Sequence, residues 1–291
     1  MRRALSRIGR SVRGIREELA GARRLTADRR SFARWALDVL GYRVLRFVDL
    51  GRRTRPRTIR LRGGLQVNYR LDRGDIRALA ETFILEAYAL PNGARADAVV
   101  DLGANIGLVS LFLAYRHGAR RVVAVEPVPE NAELVRRNLA ANGIDGEVLT
   151  AAIGPANGTV SFRADPRNST IGAIGDGGVP TPMVDMATVL ARLPESRIDV
   201  LKLDVEGGEE ALLSGEVGWL DRVDMIVAEL HPHAVDVTAV IARIEAAGFR
   251  WEPVDRHGPD WLFGDVMGFF VRTERTPSDP ASGSSVVVSA P

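Results

Sequence analysis

The feature that most constrains this chain is the run Val99-Val100-Asp101-Leu102-Gly103-Ala104-Asn105-Ile106-Gly107, echoed downstream by Val122-Val123-Ala124-Val125-Glu126-Pro127. A short apolar run, a glycine-punctuated turn, and then Leu108, Val109, Leu111, Phe112 and Leu113 predict a buried strand, a tight loop and a helix with one buried face. Glycines at 103 and 107 remove side chains where the backbone turns and where a ligand must approach it. The helix that follows presents unpaired N–H groups towards such a ligand. The second run ends in Glu126, whose carboxylate can accept two hydrogen bonds from a ribose diol. Asp101 and Glu126 stand 25 positions apart, about one strand, helix and strand. The pattern predicts an α/β chain whose first crossover holds a nucleotide-type cofactor.

The glycine spacing narrows the cofactor. The dinucleotide fingerprint is G-x-G-x-x-G, but this chain has Asn105 and Leu108 where the second and third glycines belong. A pyrophosphate would lose its close backbone approach at Asn105. The run Asp-x-Gly-x-Asn-x-Gly instead resembles the first motif of Rossmann-like S-adenosylmethionine-dependent methyltransferases, in which the loop holds the methionine portion. An acid after the second strand serves either cofactor, so Glu126 does not discriminate.

At 291 residues and 46% hydrophobic, the chain can bury a sizeable core. No apolar stretch approaches the roughly 20 residues needed to span a bilayer, and the basic N-terminus lacks a signal-peptide apolar centre. With no cysteine there is neither a disulfide framework nor a thiolate metal site, and a cytoplasmic location is expected. The net charge of +2 conceals an asymmetry: residues 1–62 carry 19 Arg against five acids, leaving 20 basic and 32 acidic groups in the rest. Leu5, Ile8, Val12, Ile15 and Leu19 recur at helical spacing within the basic part, and Phe32, Trp35, Leu37, Val39 and Leu40 follow in a second amphipathic stretch. Three uses compete for this extension. It packs on the catalytic domain or in a homodimer, it lies on an anionic membrane surface through residues 1–50, or its arginines contact nucleic-acid phosphates.

Further along, residues 58–71 predict a hairpin turning at Gly63-Gly64, and residues 75–90 a helix stopped by Pro91-Asn92-Gly93. Residues 130–142 read as a helix and 146–153 contain a third strand, whereas 164–184 read as a long Gly/Pro-rich loop. The segment Ile198-Asp199-Val200-Leu201-Lys202-Leu203-Asp204-Val205-Glu206-Gly207-Gly208-Glu209 predicts a strand delivering Asp204 and Glu206 to the carboxyl edge of the sheet, where open α/β sheets bind ligands. Lys202 is the only lysine among 39 basic residues; it either fits a narrow slot, gives up its proton when desolvated, or simply pairs with a neighbouring acid. A fifth strand, 225–230, brings Glu229 and His231 to the same edge, and imidazole suits proton transfer near neutral pH. Residues 237–247 predict a helix, and 251–254 with 266–271 a closing strand pair. The tail beyond about residue 274 has a disordered composition.

Taken in order, Val-Asp-Leu-Gly-Ala-Asn-Ile-Gly, Val-Glu-Pro-Val-Pro-Glu-Asn, Ile-Asp-Val-Leu-Lys-Leu-Asp-Val-Glu-Gly-Gly-Glu and Ala-Glu-Leu-His-Pro resemble the FkbM family of S-adenosylmethionine-dependent methyltransferases over about residues 60–272. The resemblance implies an α/β, Rossmann-like class I methyltransferase fold: a seven-stranded, mostly parallel sheet with helices on both faces. The expected division is a helical N-terminal extension over 1–57, a methyltransferase domain over 58–273 and a tail over 274–291. The resemblance further implies O-methylation of a hydroxyl on a small molecule, glycan or natural product. It places Gly103, Asn105 and Gly107 around the methionine part of the cofactor, Asp101 near its amino group and Glu126 on the ribose. Ala152 and its neighbours lie against adenine, and Asp204 and Glu206 lie beside the transferred methyl, with Lys202 in the same motif.

His231 is the first candidate for the base that deprotonates the acceptor, Asp204 or Glu206 the second. Glu229 and, in the long loop, Asn168 and Ser169 are candidates for substrate contact. Asp204, Glu206, Glu229 and His231 also have the composition of a divalent metal site, although the expectation is that no metal is required. The alternatives are a nucleic-acid ribose methyltransferase and a non-enzymatic membrane or partner adaptor. The former is disfavoured because Asp-Val-Glu-Gly stands where base-methylating enzymes carry an Asn/Asp-Pro-Pro-aromatic motif.

Overall fold

The structure, a computed structural model, describes residues 2–45, 56–71, 73–165, 172–175, 177–194, 197–254 and 265–273. Asn168, Ser169, the tail 274–291 and the side chains of Leu5, Ile8 and Val12 lie outside the described residues. From the N-terminus, helices α1 (Arg2–Leu25) and α2 (Arg29–Leu45) lead to a hairpin of β1 (Arg57–Arg60) and β2 (Gln66–Tyr69) and then to α3 (Asp75–Phe83). The strand-loop-helix unit predicted at the glycine loop is β3 (Ala98–Leu102) and α4 (Leu108–His117), followed by β4 (Arg121–Val125), α5 (Pro129–Ala141) and β5 (Asp145–Leu149). Four short strands come next: β6 (Ala152–Ile153), β7 (Gly158–Ala164), β8 (Gly172–Ile174) and β9 (Val179–Val184). The remaining elements are α6 (Met186–Leu190), β10 (Ile198–Leu203), α7 (Glu209–Leu213), β11 (Val223–Leu230), α8 (Val237–Ala246), β12 (Phe249–Pro253) and β13 (Val266–Arg272).

Seven strands form one sheet in the order β12-β13-β11-β10-β3-β4-β5. Strand β13 runs antiparallel to both of its neighbours, and the pairs from β11 through β5 are parallel. This is the class I methyltransferase arrangement, with an N-terminal helical extension. Side-chain alternation along each strand divides the core in two. Val99, Val122, Val200 and Val227 pack beneath α2, α3, α4 and α5, while Val100, Val123, Leu201 and Ile226 face α6, α7 and α8. Strands buried on both faces read as continuous apolar runs, which is why β3, β4 and β10 stand out in the sequence. The chain order reverses between β3 and β10, so the crevice at their carboxyl ends is the topological switch point at which such sheets bind ligands.

Two segments depart from the sequence expectation. The helix over 75–90 ends at Phe83: Leu85 N–H turns back to Ala80 O and Glu86 takes a left-handed φ of 51°. The turn swings Tyr88 and Leu90 into the interior rather than around a helix. Residues 164–184 are not one long loop, because β8 and β9 join β6 and β7 in a second, four-stranded sheet ordered β6-β9-β7-β8. The extension packs on the domain through Ala22, Trp35 and Val39, and Gly21 lets α1 meet Ile84, whose Cγ2 would lie 2.6 Å from any added Cβ.

Candidate active site

The glycine loop is held from three sides. Gly103 and Ala104 N–H both donate to Val125 O at 3.0 Å, and Lys202 Nζ donates to Gly103 O. Gly103 has φ +73°, and a Cβ there would lie 1.8 Å from Asp204 O, so the position admits only glycine. Asn105, at φ 50°, donates its N–H to Glu126 Oε2 at 2.8 Å. Glu126 Oε1 accepts from Val128 N–H at 2.9 Å and Asn131 Nδ2 at 3.1 Å. Asn131 is itself oriented by Arg70, whose Nη2 donates to Asn131 Oδ1 at 2.7 Å while its guanidinium forks onto the buried Asp75. Burial raises the Glu126 carboxyl to about 7, against the pull of these donors and of the Lys202 charge.

Asp101 and Gly107, expected around the cofactor, do not line the cavity. Asp101 is fully buried one layer below, taking a 2.5 Å hydrogen bond from Ser110 Oγ and standing 3.5 Å from Lys202 Nζ. Gly107, at φ +80°, is the N-cap of α4, where a Cβ would press on Val135. Motif spacing shows where the chain turns but not which layer a side chain enters. Gly103, Asn105, Glu126, Ala152 and Asp204 do line the cavity.

The ends of β10 and β11 bring the predicted acids together. Asp204 Oδ2 accepts from Lys202 Nζ at 3.0 Å and from Tyr88 OH at 3.4 Å, and Tyr88 OH donates to Glu229 Oε2 at 2.6 Å. His231 is buried; its Nδ1 donates to Glu209 Oε1 at 2.7 Å, while Nε2 lies 3.7 Å from Asp204 Oδ1 and 3.8 Å from Glu206 Oε2. Burial alone would lower the imidazole pKa, but the Glu209 hydrogen bond and the charges of Asp204, Glu209 and Glu206 outweigh it and raise it to about 10. A proton held this firmly makes His231 a poor base, and the role expected of it falls to the second candidates. Lys202 is held above its ordinary value by Asp204 and Asp101 despite burial, so it keeps its proton and fills the narrow slot under the loop. Burial, reinforced by Asp204, raises Glu206 to about 8 and Glu229 well above the carboxylate range.

Sequence reasoning missed Tyr88, Glu81, Glu209, Asp265, Asn131 and Arg70. Glu81 on α3 and Asp265 before β13 face the same cavity, and burial raises Glu81 to about 7. Asn131 and Glu209 close two of the quoted motifs, which signalled them without a role, whereas no motif flags Arg70, Glu81, Tyr88 and Asp265, which meet only in the fold. The cavity is about 870 Å³. Its floor is the glycine loop and the acid cluster. The part of its wall outside the central sheet is Phe162 and Ile174 of the second sheet with Glu17 of α1, Tyr42 of α2 and Leu85.

The residues present fit S-adenosylmethionine. Asn105 Oδ1 is buried with no hydrogen-bond partner, an acceptor without a donor at the cavity wall. Glu126 adjoins it, with Oε2 accepting one bond, from Asn105 N–H, of the two it can take. The family profile described as Methyltransferase FkbM domain matches residues 101–251, more than half of the chain. The chain belongs to the FkbM methyltransferase family. It is similar to Methyltransferase 1 of Beauveria bassiana, 25% identical over 223 residues covering 67% of this chain and 88% of the relative. The 31-O-demethyl-FK506 methyltransferase FkbM of Streptomyces tacrolimicus is 27% identical over 233 residues, covering 66% of this chain and 88% of that protein. The solved FkbM methyltransferase from Methylobacillus flagellatus aligns with a TM-score of 0.47 at 18% identity, covering 89% of this chain and 59% of that one. This FkbM enzyme is accordingly an S-adenosylmethionine-dependent methyltransferase.

Proposed function

We propose that the enzyme methylates a hydroxyl of a small molecule or natural product. The observation that carries this reading is the cavity itself, whose lining joins the acids beside the cofactor loop to the apolar and aromatic side chains of Phe162, Ile174, Leu85 and Tyr42. Such a space takes an acceptor with an apolar body and a polar reacting end. The Streptomyces tacrolimicus relative carries a named O-methylation of a demethyl-FK506, which agrees with that chemistry. Glu17, Glu18, Glu81, Asp204, Glu206 and Glu229 all line the cavity. A lining this rich in acids offers few partners to a phosphate backbone and speaks against a nucleic-acid acceptor.

When bound, S-adenosylmethionine supplies a methyl on a sulfonium, and the breaking bond returns its electron pair to sulfur. The chain's own residues orient and deprotonate. Glu126, set by Asn131 and by two backbone N–H groups, fixes the ribose; Asn105 Oδ1 takes a donor; Lys202 holds the loop and Asp204 in register. The acceptor hydroxyl lies against Asp204, whose carboxylate takes its proton as the new carbon–oxygen bond forms, with Glu206 beside it. A positioned base typically contributes about 10²- to 10⁴-fold. Protonated His231, clamped by Glu209, steadies both side chains. Glu229 and Tyr88 border the acceptor's approach.

The test is a panel of hydroxylated acceptors incubated with the enzyme and a methyl-labelled cofactor, read by mass spectrometry. A methyl ether on one acceptor class, lost in Asp204→Asn with cofactor binding kept, is the expected result. Methylation confined to amines or to RNA would replace this reading.

A further inference from the structure

We propose that Asp204 Oδ1, Glu206 Oε2 and His231 Nε2 bind one divalent cation of the magnesium or manganese type at the cavity floor, manganese the more tightly. This departs from the sequence expectation that no metal is required. It deepens the methyl-transfer reading, on which the role of the cation rests though its binding does not.

The three donor atoms lie within 4.8 Å of one another and come from the ends of two neighbouring strands. Asp204 and His231 each have their other end occupied. Asp204 Oδ2 is taken by Lys202 and Tyr88, which leaves Oδ1 facing His231. His231 Nδ1 is bound to buried Glu209, which leaves Nε2 at a distance from Asp204 and Glu206 too long for a hydrogen bond, and a cation bound there takes the place of the Nε2 proton, which is released to solvent. A carboxylate fixing the far nitrogen of an imidazole is the support that metal-ligating histidines ordinarily have. Neighbouring ligands of a cation bonded at about 2.1 Å sit about 3 Å apart. The separations of 3.7 and 3.8 Å therefore close around an ion by side-chain shifts of under ~1 Å.

A second observation comes from another element. Asp265, entering β13, has a side chain only 10% exposed, and among the described residues its buried Oδ1 has no hydrogen-bond partner, His233 Nδ1 standing 3.9 Å from it. It lines the same cavity, and its charge acts on Asp204, Glu206 and His231 alike. A buried carboxylate oxygen without a hydrogen bond in the wall of the same cavity is one that a cation, or water on that cation, would satisfy. Two carboxylates and one imidazole form a hard, oxygen-rich set whose single nitrogen favours manganese over magnesium. Three protein donors leave positions open towards the cavity, where an acceptor hydroxyl bound to the ion loses its proton more readily.

The experiment uses the full chain stripped with EDTA and titrated with manganese chloride, the free ion being followed by electron paramagnetic resonance. One ion per chain is expected, with affinity at least tenfold weaker in Glu206→Gln and in His231→Gln. The positioning residue Glu209 is expected to weaken it about 10- to 100-fold as Glu209→Gln. Since His231 and Glu209 are buried, Glu206→Gln in the half-buried loop, checked by its melting curve, decides the matter should the others not fold. No manganese bound by wild type, or equal binding by Glu206→Gln, overturns the proposal. Methyl transfer that persists in the stripped, manganese-free enzyme overturns the cation's role and leaves the methyl-transfer reading standing. One ion bound with no acceptor methylated keeps the site and counts against that reading instead.

Discussion

Glu126 makes cofactor binding a titration. In the free protein its carboxyl is raised to about 7 by burial, and the charged neighbour acting on it is Lys202 of β10. A ribose diol donates, so the competent form is the carboxylate, present above pH 7 and lost as the pH falls through that value. If only the ionised form binds, the apparent Kd is the intrinsic one divided by the ionised fraction. That fraction is about one in eleven at pH 6, one half at pH 7 and nearly all at pH 8.5. Affinity should thus weaken about tenfold from pH 8.5 to 6, roughly 1.4 kcal/mol. Binding at pH 6 should release about 0.9 proton per cofactor. Calorimetry in buffers of different ionisation enthalpy reads both quantities at once. Glu81 is also raised to about 7 and lines the cavity, so Glu81→Gln should keep the slope and Glu126→Gln should bind weakly at every pH without it. No proton release at pH 6, or the same slope in Glu126→Gln, would refute the reasoning.

Three further outcomes are expected. Gly103→Ala drives a Cβ into Asp204 O; it should cost about 1–2 kcal/mol for the left-handed backbone alone and abolish cofactor binding by calorimetry, so near-normal affinity would contradict the fit described. Lys202→Met leaves Asp101 and Asp204 without their buried cation and should cost about 3–5 kcal/mol in urea unfolding; a midpoint near wild type would show the pair to be dispensable. Asn138 on α5 is fully buried and hydrogen-bonds Asn68 of β2 and Ile106 O of the glycine loop; Asn138→Ala should cost about 2–4 kcal/mol through unsatisfied backbone groups, and hydrogen exchange should rise in both β2 and the loop rather than in β2 alone.

The parts of the fold that could be read from sequence were those where one period dominates. Strands β3, β4, β10 and β11 are covered on both faces, so their apolar runs are unbroken, and the acids at their ends fall at the carboxyl edge by register alone. The helix beginning at Asp75 was over-extended because Ile84, Leu85 and Tyr88 continue its apolar spacing, while the left-handed turn at Glu86 is imposed by the tertiary contacts of Tyr88. Strand β9 was hidden by Pro180 and Pro182, which fall on the stretch that β6, paired only at Met183 and Val184, does not reach. At the site, His231 could be located but its protonation could not, because that depends on Glu209 one helix away.

The two walls of the cavity belong to different structural economies. The floor is tied by hydrogen bonds to the central sheet, so almost any change at Gly103, Lys202 or Asp204 is felt by the fold. The wall made by Phe162, Ile174, Glu17 and Tyr42 lies outside that sheet, and Ile174 is half exposed. Descendants of such a chain can exchange one wall and inherit the other intact. Acceptor preference is therefore free to diverge between close relatives while the methyl donor stays the same, and a library confined to those wall positions is the economical route to a new acceptor.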